Sequence, residues 1–364
     1  METNRYISDL AIHPGEFLEE TLEAISMSQA ELSNRLGRPL QAINEIIKGK
    51  KSITPTTALE LEDVLGIPSH IWIGLESEYQ IVIAKQAELK QMEEESALLP
   101  QFPYAELVKF GFVQATRSAV EKVDELKRFF SVAKLGQLEY VKAYQPAFRV
   151  SNHKEVSHEA IATWIQAGRI RAKDINTKPF DKKKLKESLL PLKDLMNLEN
   201  IKDSIDQITK ILAECGVAFV MLPHFPKTRV NGATFWLEDN TKAVVLMSIR
   251  GSYSDIFWFS FFHELGHILL HNKREVFLED GYNDPSLQKQ EDEANDFAKD
   301  FLISQPLFDQ FVEKQDFNRK AVQEFSKQIG VKDSIVVGRL MHEKIILFSD
   351  YKLNALRDKY QWEN

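Results

Sequence analysis

Cysteine is almost missing from this chain: Cys215 stands alone in 364 residues. An intramolecular disulfide is thereby excluded, and a reducing compartment fits. Cys215 itself reads as a small core residue. Basic charge is scarce as well. Lys and Arg total 46 against 54 Asp and Glu, a net charge of −8, which argues against a protein that coats nucleic acid over its whole surface. Long apolar runs are missing too. The most apolar stretch, residues 256–270, is short and carries His263, Glu264 and His267 in its middle, which is wrong for a bilayer span. The start, Met-Glu-Thr-Asn-Arg, has no apolar signal region. The expectation is a cytoplasmic protein with no membrane partner.

The length calls for two or three domains, and an apolar content of 43% is ordinary for globular protein. Residues 13–76 read as five short helices. His13-Pro14 opens the first, with proline at its first position. Ser28-Gln-Ala-Glu31 is a capping box for the second, which Gly37 ends. Pro39 opens a third that ends at Gly49. Thr54-Pro55 and Ile67-Pro68 start the fourth and fifth. Two helices joined by a short glycine-containing turn make a helix-turn-helix.

In the third helix Leu40, Ile43, Ile46 and Ile47 are expected to face inward, leaving Gln41, Ala42, Asn44, Glu45 and Lys48 outward. Such a helix enters the DNA major groove with its N-terminal residues on base edges. Gln41 and Asn44 suit adenine, and Arg38 suits guanine or phosphate. Lys48, Lys50 and Lys51 suit phosphates. Residues 1–80 hold six Lys and Arg against thirteen Asp and Glu, a net −7. Binding to operator DNA must then rest on the clustered bases from Arg35 to Lys51, and on a homodimer that doubles the contacts.

Residues 71–95 read as a long helix that connects domains or pairs with a second copy. Residues 104–145 and 160–167 read as helical. The five lysines between Lys178 and Lys186 read as a solvated loop or helix start. From residue 198 the pattern changes. Residues 201–215 form an amphipathic helix. Residues 217–222, 232–237 and 243–249 read as strands, the last two joined by Glu238-Asp239-Asn240-Thr241.

His263-Glu-Leu-Gly-His267 follows, on a helix capped by Ser254 or Asp255. Histidines four apart share one helix face, so both can reach one metal ion, and Glu264 can reach a metal-bound water as a base. This is the zinc-peptidase pattern. A catalytic Zn2+ needs a third protein ligand. His271 lies a further turn along and is expected to pack or to meet the helix C-terminus. Glu293, beside the inward face of a helix that runs from about Gln290 to Ser304, is the expected third ligand. Glu291 and Asp292 are expected to turn away toward the helix dipole. Asp296 and Asp300 are candidates to orient the histidines. Residues 321–329 and 333–342 form a second helix pair read as scaffold.

The run from Phe262 to His271, followed by Glu-Asp-Glu-Ala-Asn-Asp-Phe-Ala, resembles the ImmA/IrrE-type zinc metallopeptidases over residues 200–345. The resemblance implies His263, His267 and Glu293 as zinc ligands, Glu264 as the base, and a transcriptional repressor as substrate. Residues 5–80 resemble the HigA-like antitoxins, which are Xre/Cro-type helix-turn-helix proteins. Ile12-His-Pro-Gly-Glu-Phe-Leu-Glu-Glu and Ser-Gln-Ala-Glu-Leu-Ser-Asn-Arg-Leu-Gly carry that likeness. The expected architecture is multidomain and mostly α. A five-helix, lambda-repressor-like domain (1–80) precedes a helical middle region (81–197). An α+β zincin-like domain with a small antiparallel sheet (198–350) and a tail (351–364) follow.

The expected function is a DNA-binding regulator with a zinc endopeptidase domain that cuts a protein partner, a repressor or a toxin-antitoxin component. One alternative is a non-proteolytic antitoxin-like repressor whose zinc domain senses or docks. A small-molecule hydrolase is the other.

Overall fold

A computed structural model describes residues 11–145, 147, 156–237, 240–249, 253–271, 277–279 and 288–360. It divides into two compact bodies after Ser96. The first contains helices α1 (Pro14–Ala24), α2 (Gln29–Leu36), α3 (Leu40–Ile47), α4 (Pro55–Leu65) and α5 (Ser69–Glu95). The starts follow from local chemistry. His13 Nδ1 accepts from Gly15 N at 2.9 Å, and Ser28 Oγ accepts from Glu31 N at 3.1 Å, each satisfying an otherwise orphaned helical N–H. Gly37, with φ of 63°, ends α2 in the left-handed conformation.

Leu18, Leu22, Leu32, Ile43, Ile46, Leu61 and Trp72 form the core of this body. The fifth helix and the long connecting helix expected separately are one helix of 27 residues. Its first turns are tied to the rest by Trp72, whose indole donates to Ile67 O at 3.2 Å. Buried Glu76 adds a second tie, accepting from Ile53 N at 2.9 Å.

The second body contains α6 (Tyr104–Lys109), α7 (Ala119–Phe130), α8 (His158–Lys173), α9 (Lys182–Asp194), α10 (Ile201–Glu214) and strands β1 (Val217–Met221), β2 (Gly232–Leu237) and β3 (Lys242–Met247). Then come α11 (Ser254–Leu270), β4 (Phe277–Glu279), α12 (Gln288–Leu302), α13 (Gln305–Glu313), α14 (Arg319–Ile329), α15 (Asp333–His342) and α16 (Tyr351–Asn354). The expected small sheet is present with order β1-β3-β2-β4. It is mixed rather than wholly antiparallel. β1 runs parallel to β3, with Val217 opposite Ala243, while β2 runs antiparallel to β3 and to β4. Of the expected turn between β2 and β3, Glu238 and Asp239 lie outside the described residues.

Both sheet faces are covered, which is why these strands read as continuous apolar runs rather than alternating ones. Val217, Phe219, Ala243, Val245 and Met247 join Trp258, Phe261, Phe262 and Leu265 of α11 in one core. On the other face lies α8. Trp164 Nε1 of α8 donates to Pro223 O at 3.1 Å, and the Arg169 guanidinium sits over the Phe235 ring. The region expected as a separate middle segment (81–197) is therefore split. Up to Ser96 it belongs to the first body, and of its later helices α8 closes the back of the sheet while α9 packs in the core shared with α11.

The charge on Glu76 gives a pH prediction. Burial works against that charge, but the bonds from Ile53 and Gln80 outweigh it and hold the pKa below the ordinary carboxylate value. A depressed pKa contributes stability above the unfolded-state value, and that contribution is lost as pH falls through the folded-state value. Glu76→Gln should cost about 1 kcal/mol near neutrality, and the gap to wild type should close below about pH 4. Denaturant titrations at stepped pH will show it. A gap unchanged by pH would assign the loss to packing.

Candidate functional site

Helix α11 is buried along almost its whole length, from Ser254 to Leu269. Its N-terminal end is clamped by the chain's last described residues. Arg357 meets Asp255 through two bonds, Nη2 to Oδ2 at 2.7 Å and Nε to Oδ1 at 3.0 Å. Trp258 Nε1 donates to Tyr360 Oη at 2.9 Å, and Ser254 N donates to Asp358 O at 2.9 Å. The segment expected as a tail (351–364) is thus, through Tyr360, part of the support of this helix. Residues 361–364 lie outside the described residues.

Toward the other end, His263 Nε2 and His267 Nε2 stand 2.9 Å apart. The Glu291 carboxylate of α12 reaches both, at 3.3 Å from His263 Nε2 and 3.4 Å from His267 Nε2. Among the described residues, this is the one group of three metal-ligating side chains whose donor atoms all lie within 4.8 Å of one another. The far sides of the two rings are also engaged. His263 Nδ1 lies 3.0 Å from Asn295 Oδ1, so that nitrogen carries a proton. His267 Nδ1 lies 3.0 Å from His271 Nδ1, and His271 Nε2 lies 3.1 Å from Glu293 Oε2. One set of tautomers satisfies the whole chain: His267 donates to His271, and His271 donates to the Glu293 carboxylate. Both Nε2 lone pairs then point at the same spot.

The electrostatics agree. Burial pushes the His267 imidazole down to about 4. For Glu291 burial opposes the charge, but a proton on His263 or His267 Nε2, donated to the carboxylate, outweighs this and holds it at about 2; in the Nδ1 tautomers a cation would take that proton's place. A buried neutral imidazole and an ionised, largely buried carboxylate are the donor forms a divalent cation requires. The site fits such an ion.

The geometry does not bring Glu293 to this trio. Glu291, expected to turn away, occupies that place, and Glu293 holds His271 instead. Helical phase explains it. Glu291 shares a stripe with Ala294, Ala298 and Leu302, the buried residues of α12, at spacings of three, seven and eleven. Glu293 sits two residues and roughly 200° further round. The close approach of the two helices has its own cause. A Cβ on Gly266 would stand 3.0 Å from Phe297 and 3.4 Å from Ala294 Cα, so the glycine lets α12 lie against α11. Asp296 and Asp300 do not orient the histidines either. Asp296 pairs with Lys299, and Asp300 accepts from Gln305 N at 2.9 Å. Asn295 and His271 occupy the positions expected of them.

Glu264, fully buried, turns toward β2. The Thr234 hydroxyl donates to its Oε2. A Cβ on Gly232 would come within 2.5 Å of Oε1, so only glycine leaves room for this carboxylate. Neither Thr234 nor Gly232 carried a motif signal. Their role follows from register, which puts even-numbered β2 residues on the α11 face. β4, not β2, is the strand at that edge of the sheet among the described residues.

In the first body Gln41, Lys48, Lys50 and Lys51 are exposed. Gln41 Nε2 donates to Glu45 Oε1 at 2.9 Å, and partly buried Asn44 donates to Gln29 Oε1 at 3.4 Å. Arg38 is paired with Glu60. Two expectations for α3 change places. Ala42 is buried, on the arc with Ile43, Ile46 and Ile47, while Leu40 is 48% exposed at the edge of that arc. A base contact from Ala42 is therefore removed.

Comparison with known proteins assigns both segments. Residues 251–341 match the IrrE N-terminal-like domain, a peptidase family, and residues 18–72 match a helix-turn-helix. The virulence-associated protein I of Dichelobacter nodosus is 36% identical over 77 residues, which is 21% of this chain and 71% of that protein. An addiction module antidote protein of the HigA family from Coxiella burnetii is 35% identical, covering 23% of this chain and 92% of the other, with a TM-score of 0.22. The Pseudomonas aeruginosa antitoxin HigA, solved with the higBA promoter, is 31% identical over 23% of this chain and 94% of its own, with a TM-score of 0.22.

The two glutamates of α12 should separate by metal content. Glu291→Ala should leave the purified protein without bound zinc, whereas Glu293→Ala should keep it with affinity weakened by about 10-fold. Zinc titration against a chromophoric chelator measures both. Equal retention by the two variants would remove Glu291 from the ligand set.

Proposed function

Over its N-terminal segment this chain belongs to the HigA family of helix-turn-helix proteins, and from that premise, with an IrrE-like segment in its second body, we propose a DNA-binding regulator that also hydrolyses a peptide bond. The protein substrate in this reading is a regulatory partner, a transcriptional repressor or a toxin-antitoxin component. The first body binds operator DNA as a homodimer. α3 lies in the major groove with Gln41 and Asn44 toward base edges, and Arg38, Lys48, Lys50 and Lys51 lie toward phosphates.

In the second body His263, His267 and Glu291 hold a zinc ion. Zinc, when bound, supplies Lewis-acid polarisation of a carbonyl and a more acidic water. The chain's own groups do the rest. Asn295 and His271 fix the ring tautomers. Thr234 fixes the plane of the Glu264 carboxylate, which takes a proton from the attacking water and returns it to the leaving amine. The dry walls around Glu264 keep the proton between these partners. One observation carries the reading: Glu264 is buried one residue from the donor His263 and held by its own hydroxyl partner. A metal bound for structure alone needs no such base.

Two experiments test the two halves. Proteins encoded beside this gene, incubated with wild type and with Glu264→Gln at equal zinc content, should yield a cleavage product with wild type only. Absence of cleavage while promoter DNA is still bound would favour the non-proteolytic repressor. The Gln41→Ala, Asn44→Ala double variant should lose promoter binding by roughly 10-fold or more with zinc content unchanged. Undiminished binding in a mobility-shift titration would remove α3 as the reader.

A further inference from the structure

A cavity of about 360 Å³ lies in the second body between α11, α12 and α15. Ile256, Phe259, Leu302, Ile303 and Ile335 supply its apolar walls, and Phe348, 66% exposed, stands among its lining residues. The charged groups around it are already matched. Arg357 meets Asp255 at 2.7 Å, Arg339 meets Glu343 at 2.9 Å, and Lys299 lies 3.9 Å from Asp296. A charged occupant would have to compete with those pairs, while an uncharged apolar one would not.

The position of the cavity relates it to the metal centre. Phe259, one turn before His263 on α11, has its ring 6.3 Å from the His263 ring and 6.2 Å from that of His342. One aromatic ring thus backs a donor histidine and lines the cavity. The lining also includes Asn231, whose neighbour Gly232 faces the Glu264 carboxylate. The cavity is thus lined by α11 itself, which carries the candidate base and the two donor histidines, and by the residue just before β2.

We propose that this cavity is a substrate subsite: it receives the side chain of a residue flanking the bond to be broken, and it selects a bulky apolar side chain, aliphatic or aromatic, on a polypeptide. This rests on the peptidase reading above. The volume falls in the range of small ligand pockets, ample for one aromatic side chain and poorly filled by alanine. Phe259 and Asn231 set the cavity beside the elements that carry Glu264 and its neighbour Gly232. A main chain placed at Glu264 delivers the neighbouring side chain to the cavity mouth, so specificity and chemistry share one wall.

The full-length protein can be tested in two independent ways. In the first, wild type, Ile256→Trp and Ile256→Ala digest a degenerate peptide mixture, and mass spectrometry reads the residues on both sides of each cut. Wild type should show Leu, Phe or Met at one fixed flanking position. Ile256→Trp should shift that position toward Ala and Gly by about 10-fold or more, and Ile256→Ala should favour Phe over Leu. A wild-type profile without apolar preference, or one unmoved by both variants, would overturn the subsite.

In the second, Glu264→Gln protein labelled at isoleucine methyls is titrated with N-acetyl-phenylalaninamide and with N-acetyl-alaninamide. The methyls of Ile256 and Ile335 should move with the first and not the second. No movement would overturn the subsite even if peptides are cut. Movement without cleavage of any peptide by wild type would sink the peptidase reading and leave the cavity standing as an apolar binding site.

Discussion

Everything in the second body depends on two helices lying close enough for a carboxylate on one to meet two imidazoles on the other. That closeness is a packing constraint before it is a chemical one. Gly266 removes the side chain that would hold α12 off, and Ala294 and Ala298 present small surfaces in return. The aromatic residues around them, Phe262, Phe297 and Phe301, fill the remaining space, with Phe262 and Phe301 ring centroids 4.8 Å apart. Burial then sets the charge states. An imidazolium becomes costly on burial, so His267 stays neutral, while Glu291 is held ionised by a proton or positive charge at the two ring nitrogens it faces.

Polar satisfaction extends this arrangement outward. A buried histidine must settle which nitrogen carries the proton, and here neighbours decide for it. Asn295 settles His263, and the pair His271 and Glu293 settles His267. Glu293 therefore influences the centre without touching it. Its carboxylate is partly exposed and paired with His271, as suits a group that orients a donor rather than serving as one. The cavity beside Phe259 belongs to the same framework, since the ring that lines it also backs His263.

Much of this was legible in the sequence, for identifiable reasons. The histidines four apart, the caps at Ser28 and Thr54, and strand β2 with its bounds all rest on local periodicity or on side chains that bond within a turn. The errors share a different cause. Glu291 and Glu293 differ by rotation about one helix axis, and an apolar stripe that counts Phe297 and Phe301 with the alanines points nearer to Glu293. Aromatic rings reach inward from the flank, so they widened the apparent stripe toward Glu293. Ala42 and Leu40 show the same effect. A small side chain on the arc is buried, and a large one at its edge protrudes. The covering of the sheet by α8 and the clamp from Arg357 are contacts between distant parts of the chain, which no local pattern announces.

The Arg357 clamp carries a consequence for the order in which the molecule matures. Synthesis runs from the first residue to the last, and the first body is complete once residue 96 has emerged. The α11 helix is different. Its N-terminal end is bonded to residues 357–360, about a hundred positions further along the chain. A nascent chain therefore completes its helix-turn-helix body before the helix that carries His263 and His267 gains this support.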